Sequence, residues 1–151
     1  MENENEITER IIGAAIEVHR HPGAGLLESA YEECLCYELK QIGLRFERQV
    51  YLPIQYKELR LESAYRMDLP VEDSVVVEIK ALEDVAPVHA SQVLTVSKKR
   101  VGLLIHFNVA VLKDGIQPVV NHYAGKPIGS APRVSPRLRV SASIPQPQES
   151  R

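Results

Sequence analysis

The segment VVVEIKA, residues 75–81, constrains the fold more than any other part of the chain. Three successive β-branched valines and then an isoleucine suit the pleated, half-buried surface of a strand. Yet Glu78 and Lys80 interrupt the run. A strand has a period of two, so Val75, Val77 and Ile79 face one way and Val76, Glu78 and Lys80 the other. One face is wholly apolar and must be covered. The opposite face carries an acid and a base side by side. Such charges are tolerable where that face opens into a solvated or cation-binding cleft. The plainer alternative is a same-face ion pair on an exposed side of the sheet, contributing well under about 1 kcal/mol.

The rest of the chain supplies what must cover that strand. A first helix is expected over Glu4–Arg20, with Asn3 and Glu6 as a capping box and Ile7, Ile11, Ala14 or Ala15, and Val18 as its apolar stripe. HPGAG breaks it. A second helix is expected over residues 26–42, stopped by Gly43. Glu28, Tyr31, Leu35, Leu39 and Ile42 fall on one side of it, which sets Glu28 on the core-facing side near the helix start. Strands are expected at residues 45–54, 59–69 and 74–82, turning at YKE and VED. A third helix begins at Pro87 and runs to residue 98. Residues 101–109 read as a fourth strand, and KDG turns the chain into a short last element near Val119 and Val120. The order α-α-β-β-β-α-β predicts a mixed α/β fold, a mixed sheet with helices packed on it.

A chain of 151 residues makes one domain with a real core. That domain is expected over residues 1–123. Residues 124–151 hold five of the ten prolines, with serine and arginine, and read as a disordered tail. From Lys126 onward the net charge is +4, which leaves −6 on residues 1–125 of the total −2. The body therefore lacks the basic footprint of a protein that grips nucleic acid by charge alone. No window approaches the roughly 18 apolar residues of a membrane span. The acidic start MENENEITER is unlike a signal peptide, so the cytoplasm is the expected location. Cys34 and Cys36 lie on nearly opposite helix faces and read as reduced thiols, with Cys34 packing. No finger-like ligand spacing accompanies them.

The chemistry converges on the interrupted strand. An antiparallel hairpin through PVEDS would set Asp68 beside Glu78, with Glu28 arriving from the second helix and Gln92 from the third. Carboxylates and a backbone carbonyl suit hard divalent cations such as Mg²⁺ or Mn²⁺. A bound cation polarises a phosphoryl oxygen and acidifies a bound water, and a neighbouring lysine orients that water and offsets developing negative charge. The set fits metal-assisted phosphodiester hydrolysis. His89, one turn before Gln92, is a candidate for the same cleft or for a phosphate. Lys98, Lys99 and Arg100 form a basic run whose plain reading is a solvated helix end and whose functional reading is a phosphate contact. Arg66 is placed to pair with Glu62 or Glu78. His19 and His21 suit a helix C-terminus, and His106 reads as a satisfied structural residue.

These residues also resemble a known family. Gly25-Leu-Leu-Glu28-Ser-Ala-Tyr31 reproduces the GxxExxY motif of a group of small bacterial proteins, and FERQV, VEIKA, PVHASQ, RVGLLIHFNV and LKDGI are similar to further blocks of it. The resemblance spans residues 11–121. It implies the PD-(D/E)XK nuclease-like superfamily, with a restriction-endonuclease-like αβββαβ core. Asp68 then matches the first acid, and Glu78-Ile79-Lys80 the E-x-K, with the Ile79 carbonyl a further metal ligand. Glu28 matches a helix-borne acid and Gln92 a helical glutamine. The implied activity is Mg²⁺- or Mn²⁺-dependent cleavage of DNA or RNA. The alternative is a non-catalytic module of the same fold that binds partners or assembles as a homo-oligomer.

Overall fold

The computed structural model describes residues 2–81 and 87–121, and of residues 87–89 only the backbone. The expected tail, residues 124–151, lies outside the described residues. The chain runs α1 (Glu4–Arg20), α2 (Glu28–Gln41), β1 (Val50–Tyr56), β2 (Leu59–Met67), β3 (Leu69–Val71), β4 (Val75–Lys80), α3 (Pro87–Ser97), β5 (Val101–His106), a 3-10 turn (Leu112–Gly115) and β6 (Ile116–Val120).

Strand β4 organises the molecule as its alternation predicts. It lies inside a mixed four-stranded sheet of order β3-β4-β5-β6, antiparallel to β3 and parallel to β5, while β5 and β6 are antiparallel. Val75, Val77 and Ile79 pack with α1 and α2: Ile7, Ile11, Ala14, Ala15 and Val18 from the first, Tyr31, Leu35, Cys36 and Leu39 from the second. Val76, on the other face, packs with Ala90, Val93 and Leu94 of α3 and with Met67 and Val119. Two cores therefore sandwich one sheet. The parallel β4–β5 pair needs a crossover, and α3 is that crossover. Both arms of the capping box form, with Glu6 N–H donating to Asn3 Oδ1 at 2.9 Å and Asn3 N–H to Glu6 Oε1 at 3.0 Å.

The expected single sheet is divided. β1 and β2 pair only with each other, as an antiparallel arm separate from the four-stranded sheet. The expected strand over residues 45–54 breaks at Gln49, whose φ of 53° turns the chain. Before that break, Phe46 bridges Val71 of β3. After it, Val50 pairs with Met67 of β2. The arm's inner residues Val50, Leu52 and Tyr65 pack against the α3 core, while Tyr56 and Leu59 at its turn are more than half exposed. The fourth strand ends at His106, three residues earlier than expected. Gly115, the last residue of the 3-10 turn, lies so close to the His106 carbonyl that a Cβ there would collide with it.

One helix expectation needs correction. Ile42 is 37% exposed, because it is the C-terminal cap of α2 rather than part of its stripe. Cys34 packs against the core as expected but is only partly covered, and Cys36 is the more deeply buried thiol. Burial pushes the Cys36 thiol up to about 11, which leaves it inert at neutral pH.

Candidate active site

Asp68 fills the one-residue gap between β2 and β3, and the register Leu69 to Val77 sets it opposite Glu78. The Asp68 N–H donates to Glu78 Oε2 at 3.3 Å, and the Ile79 N–H donates to Asp68 Oδ2 at 3.0 Å. Both residues are buried, with 4% and 3% of their surface exposed. Burial first, and then the charge of Asp68, push the Glu78 carboxyl up to about 8; the Asp68 N–H and Lys80 pull the other way without cancelling the effect. Among the described residues Glu78 makes no ion pair. A strand residue directs its N–H and C=O to the same side, so the Ile79 carbonyl shares the side of the N–H that meets Asp68.

This donor set fits a hard divalent cation in its chemistry: two adjacent carboxylates and a carbonyl, with the Glu78 carboxyl pushed up by burial and by the charge of Asp68. Asp68, Glu78 and the Ile79 carbonyl are the groups that would hold it. Among the described residues no three His, Cys, Asp or Glu side chains already converge.

Lys80 follows on the same face as Glu78 and is half-buried. Its ammonium has no hydrogen bond or ion pair among the described residues. Its parallel neighbour in register is His106. The reading of His106 as satisfied is not borne out, because its Nε2 is buried with no partner among the described residues.

Glu28 begins α2, and its Oε2 accepts the Ala81 N–H at 3.2 Å, at the end of β4 that carries Glu78 and Lys80. Its face is the expected one, but it is exposed rather than core-bound, since this first turn reaches the open end of the sheet. The GxxExxY spacing has a local cause. Gly25 has φ +109°, a conformation that favours glycine. The Tyr31 hydroxyl donates to the Gly23 carbonyl at 2.6 Å and accepts the Leu26 N–H at 3.1 Å. Its ring stacks on Phe107, centroids 4.5 Å apart. Tyr31 thus fastens the loop that aims Glu28.

Other predicted residues take different places. The Gln92 Oε1 accepts the Tyr65 hydroxyl at 3.1 Å, so the arm holds it on the α3 side of the sheet. His89 lies in the first turn of α3, and its side chain is outside the described residues. Lys98, Lys99 and Arg100 precede β5 and therefore sit at the Val75 end of the sheet, away from Glu78. There Lys99 pairs with Asp73 at 2.7 Å, and Arg100 reaches Glu4 at 3.8 Å. His21 pairs with Glu17 at 2.9 Å, and His19 Nε2 meets the Val109 carbonyl at 2.8 Å.

Arg66 pairs with neither Glu62 nor Glu78. Its Nη2 donates to Asp68 Oδ1 at 3.1 Å, while Arg60 takes Glu62 at 2.6 Å. A further set escaped the sequence entirely. Glu32, 7% exposed, accepts Arg48 Nε at 2.8 Å and Gln49 Nε2 at 2.8 Å. The Gln49 N–H then donates to the Asp68 carbonyl at 2.8 Å, tying the α2 acid to the backbone of the candidate site. Glu32 lies by angle between Leu39 and Cys36 in the buried stripe of α2, a place that the spacing of the apolar residues with Glu28 does not reveal.

The family model of the PD-(D/E)XK nuclease superfamily matches residues 5–119, most of the chain. Neither a curated protein nor a solved structure matches. Nucleases of this superfamily generally use divalent metal ions. No helix among the described residues is long and apolar enough to cross a membrane. The chain belongs to the PD-(D/E)XK nuclease superfamily.

Proposed function

We propose that this member of the superfamily hydrolyses phosphodiester bonds of nucleic acid with Mg²⁺ or Mn²⁺. The observation that carries the reading is the Asp68–Glu78 pair, two adjacent buried carboxylates of which one is pushed up to about 8. A bound cation would supply Lewis-acid activation of the phosphoryl group and of water. Asp68, Glu78 and the Ile79 carbonyl are its proposed ligands. Glu28, exposed at the open end of β4, is placed to act through water or a second ion. Lys80, beside Glu78 and otherwise unengaged among the described residues, orients the attacking water and offsets charge on the phosphoryl oxygens. Gln92 positions the wall of the cleft through Tyr65.

The test is a cleavage assay on labelled single- and double-stranded DNA and RNA with Mg²⁺, Mn²⁺ or EDTA, beside Lys80→Ala. Metal-dependent cleavage that disappears in the variant is the expected result. No cleavage by folded protein on any substrate would sink the enzymatic reading.

One observation favours a second reading, a homo-oligomeric module. Tyr56, Leu59 and Leu61 at the outer end of the arm are 57%, 56% and 40% exposed. Light scattering separates the two: a large oligomer indifferent to Mn²⁺ supports assembly, and a small species stabilised by Mn²⁺ supports the enzyme.

A further inference from the structure

The arm has two unlike faces. Val50, Leu52 and Tyr65 pack inward on α3, and Ile54, Tyr56, Leu59 and Leu61 continue that apolar face toward the turn. The opposite face carries the cross-strand pairs Tyr51 with Arg66 and Gln55 with Arg60. It leads directly to Asp68, two residues beyond Arg66. Tyr51 is 56% exposed, an open aromatic surface that nothing in the core requires. The Arg66 side chain is 45% exposed although it touches an Asp68 that is almost fully buried. The Tyr51 side chain lies near enough to this guanidinium to favour its charged form. A guanidinium has five N–H donors, so these contacts leave donors pointing outward.

Residues 1–125 carry a net −6, so a nucleic-acid backbone is repelled by most of this surface and needs a local landing place. The polar face of the arm supplies one at Arg66, since Arg60 on the same face is already paired with Glu62. An exposed tyrosine beside an arginine adds the second half of a single-strand platform, because bases stack on aromatic rings only when their faces are open. In a duplex those faces are already covered by neighbouring bases.

Resting on the nuclease reading, we propose that this face of the arm delivers single-stranded nucleic acid to the carboxylates, with Arg66 holding a phosphate next to Asp68 and Tyr51 stacking a base. Neither residue is asked to hold the cation. Arg66 is a substrate-binding residue, and Tyr51 sets the preference for unpaired strands.

The test uses the full chain carrying Lys80→Ala, so that probes survive, and reads fluorescence anisotropy with labelled oligothymidylate, oligouridylate and a DNA duplex of equal length. Either single strand should bind at least about tenfold more tightly than the duplex, and the stronger of the two identifies DNA or RNA. Adding Tyr51→Ala should cost about tenfold on the single strand. Adding Arg66→Ala should weaken it further and lower the salt-dependence slope by about 0.7, with Arg66→Lys restoring part of both. The Mn²⁺-induced shift in Tm should persist in every arm variant, because neither residue holds the cation. Equal binding of duplex and single strand, or affinities indifferent to both substitutions, overturns the proposal. If wild-type protein still cleaves with metal in that case, only the arm's role has failed. If it neither cleaves nor binds, the nuclease reading has fallen with it.

Discussion

Two buried glutamates in this molecule are treated in opposite ways. Glu32, on α2, is met by Arg48 and Gln49, each at 2.8 Å, so both carboxylate oxygens have donors and its charge has a cation. Glu78, on β4, is more deeply buried and faces another carboxylate, with one backbone N–H at 3.3 Å as its hydrogen-bond donor. The first arrangement is complete within the protein. The second is expensive as it stands, and burial beside Asp68 pushes the group up to about 8. Arg66, the nearest guanidinium, goes to Asp68 instead. The fold supplies one buried acid with a cation and leaves the other without an ion pair among the described residues, and that contrast is what supports the proposed metal site.

Breaking the comparison at Glu78 should have the largest effect. Glu78→Gln should lower metal-dependent cleavage on the order of 10²–10³-fold, about 3–4 kcal/mol, while leaving the metal-free domain at least as stable at pH 8. A variant that unfolds instead would make Glu78 a structural group like Glu32. Next comes the pH dependence of metal-free stability. The folded-state pKa of Glu78 is above its ordinary value of 4.5, so the native state binds the extra proton. Stability should therefore fall as pH rises from about 4.5 toward 8, by on the order of a few kcal/mol, and level off above that. Thermal unfolding across that window should show the slope in wild type and in Glu32→Gln, and lose it in Glu78→Gln.

Removing the other glutamate should cost stability rather than chemistry. Glu32→Ala strips two donors of their acceptor and should destabilise the domain by about 2–3 kcal/mol, discounted because Arg48 is partly exposed. Denaturant unfolding measures this. Cleavage per folded molecule should change less than in Glu78→Gln, and an equal loss of cleavage would erase the distinction between the two sites. The smallest effect is expected from Tyr31→Phe, which keeps the stack on Phe107 and removes the hydroxyl that fastens the Gly23–Leu26 loop. It should cost about 1 kcal/mol and cleave less efficiently through a loosened Glu28.

Much of this was legible in the residues. Strand periodicity placed Val75, Val77 and Ile79 in one core and Val76 in the other. The short PVEDS turn fixed the register that joins Asp68 to Glu78. The capping box fixed the start of α1. What stayed hidden depends on where elements end relative to one another. Helical angle gives the face of Glu28 but not that its turn projects past the sheet. The kink that separates the arm from the sheet is a left-handed φ at Gln49, which no glycine announces. Arg66 had three acids within reach along the chain, and only the bend at Asp68 decides among them. Cys36 is more deeply buried than Cys34 because the buried stripe of α2 centres closer to Glu32 than its apolar members suggest.

The proposed cation site at Glu78 is tested most directly by isothermal titration of Mn²⁺ into wild type and Glu78→Gln at several pH values. Proton and metal compete for one carboxylate. Wild-type affinity should climb with pH until about 8 and then level, and Glu78→Gln should bind far more weakly with no such climb. Affinity that ignores pH, or that survives unchanged in Glu78→Gln, would contradict it.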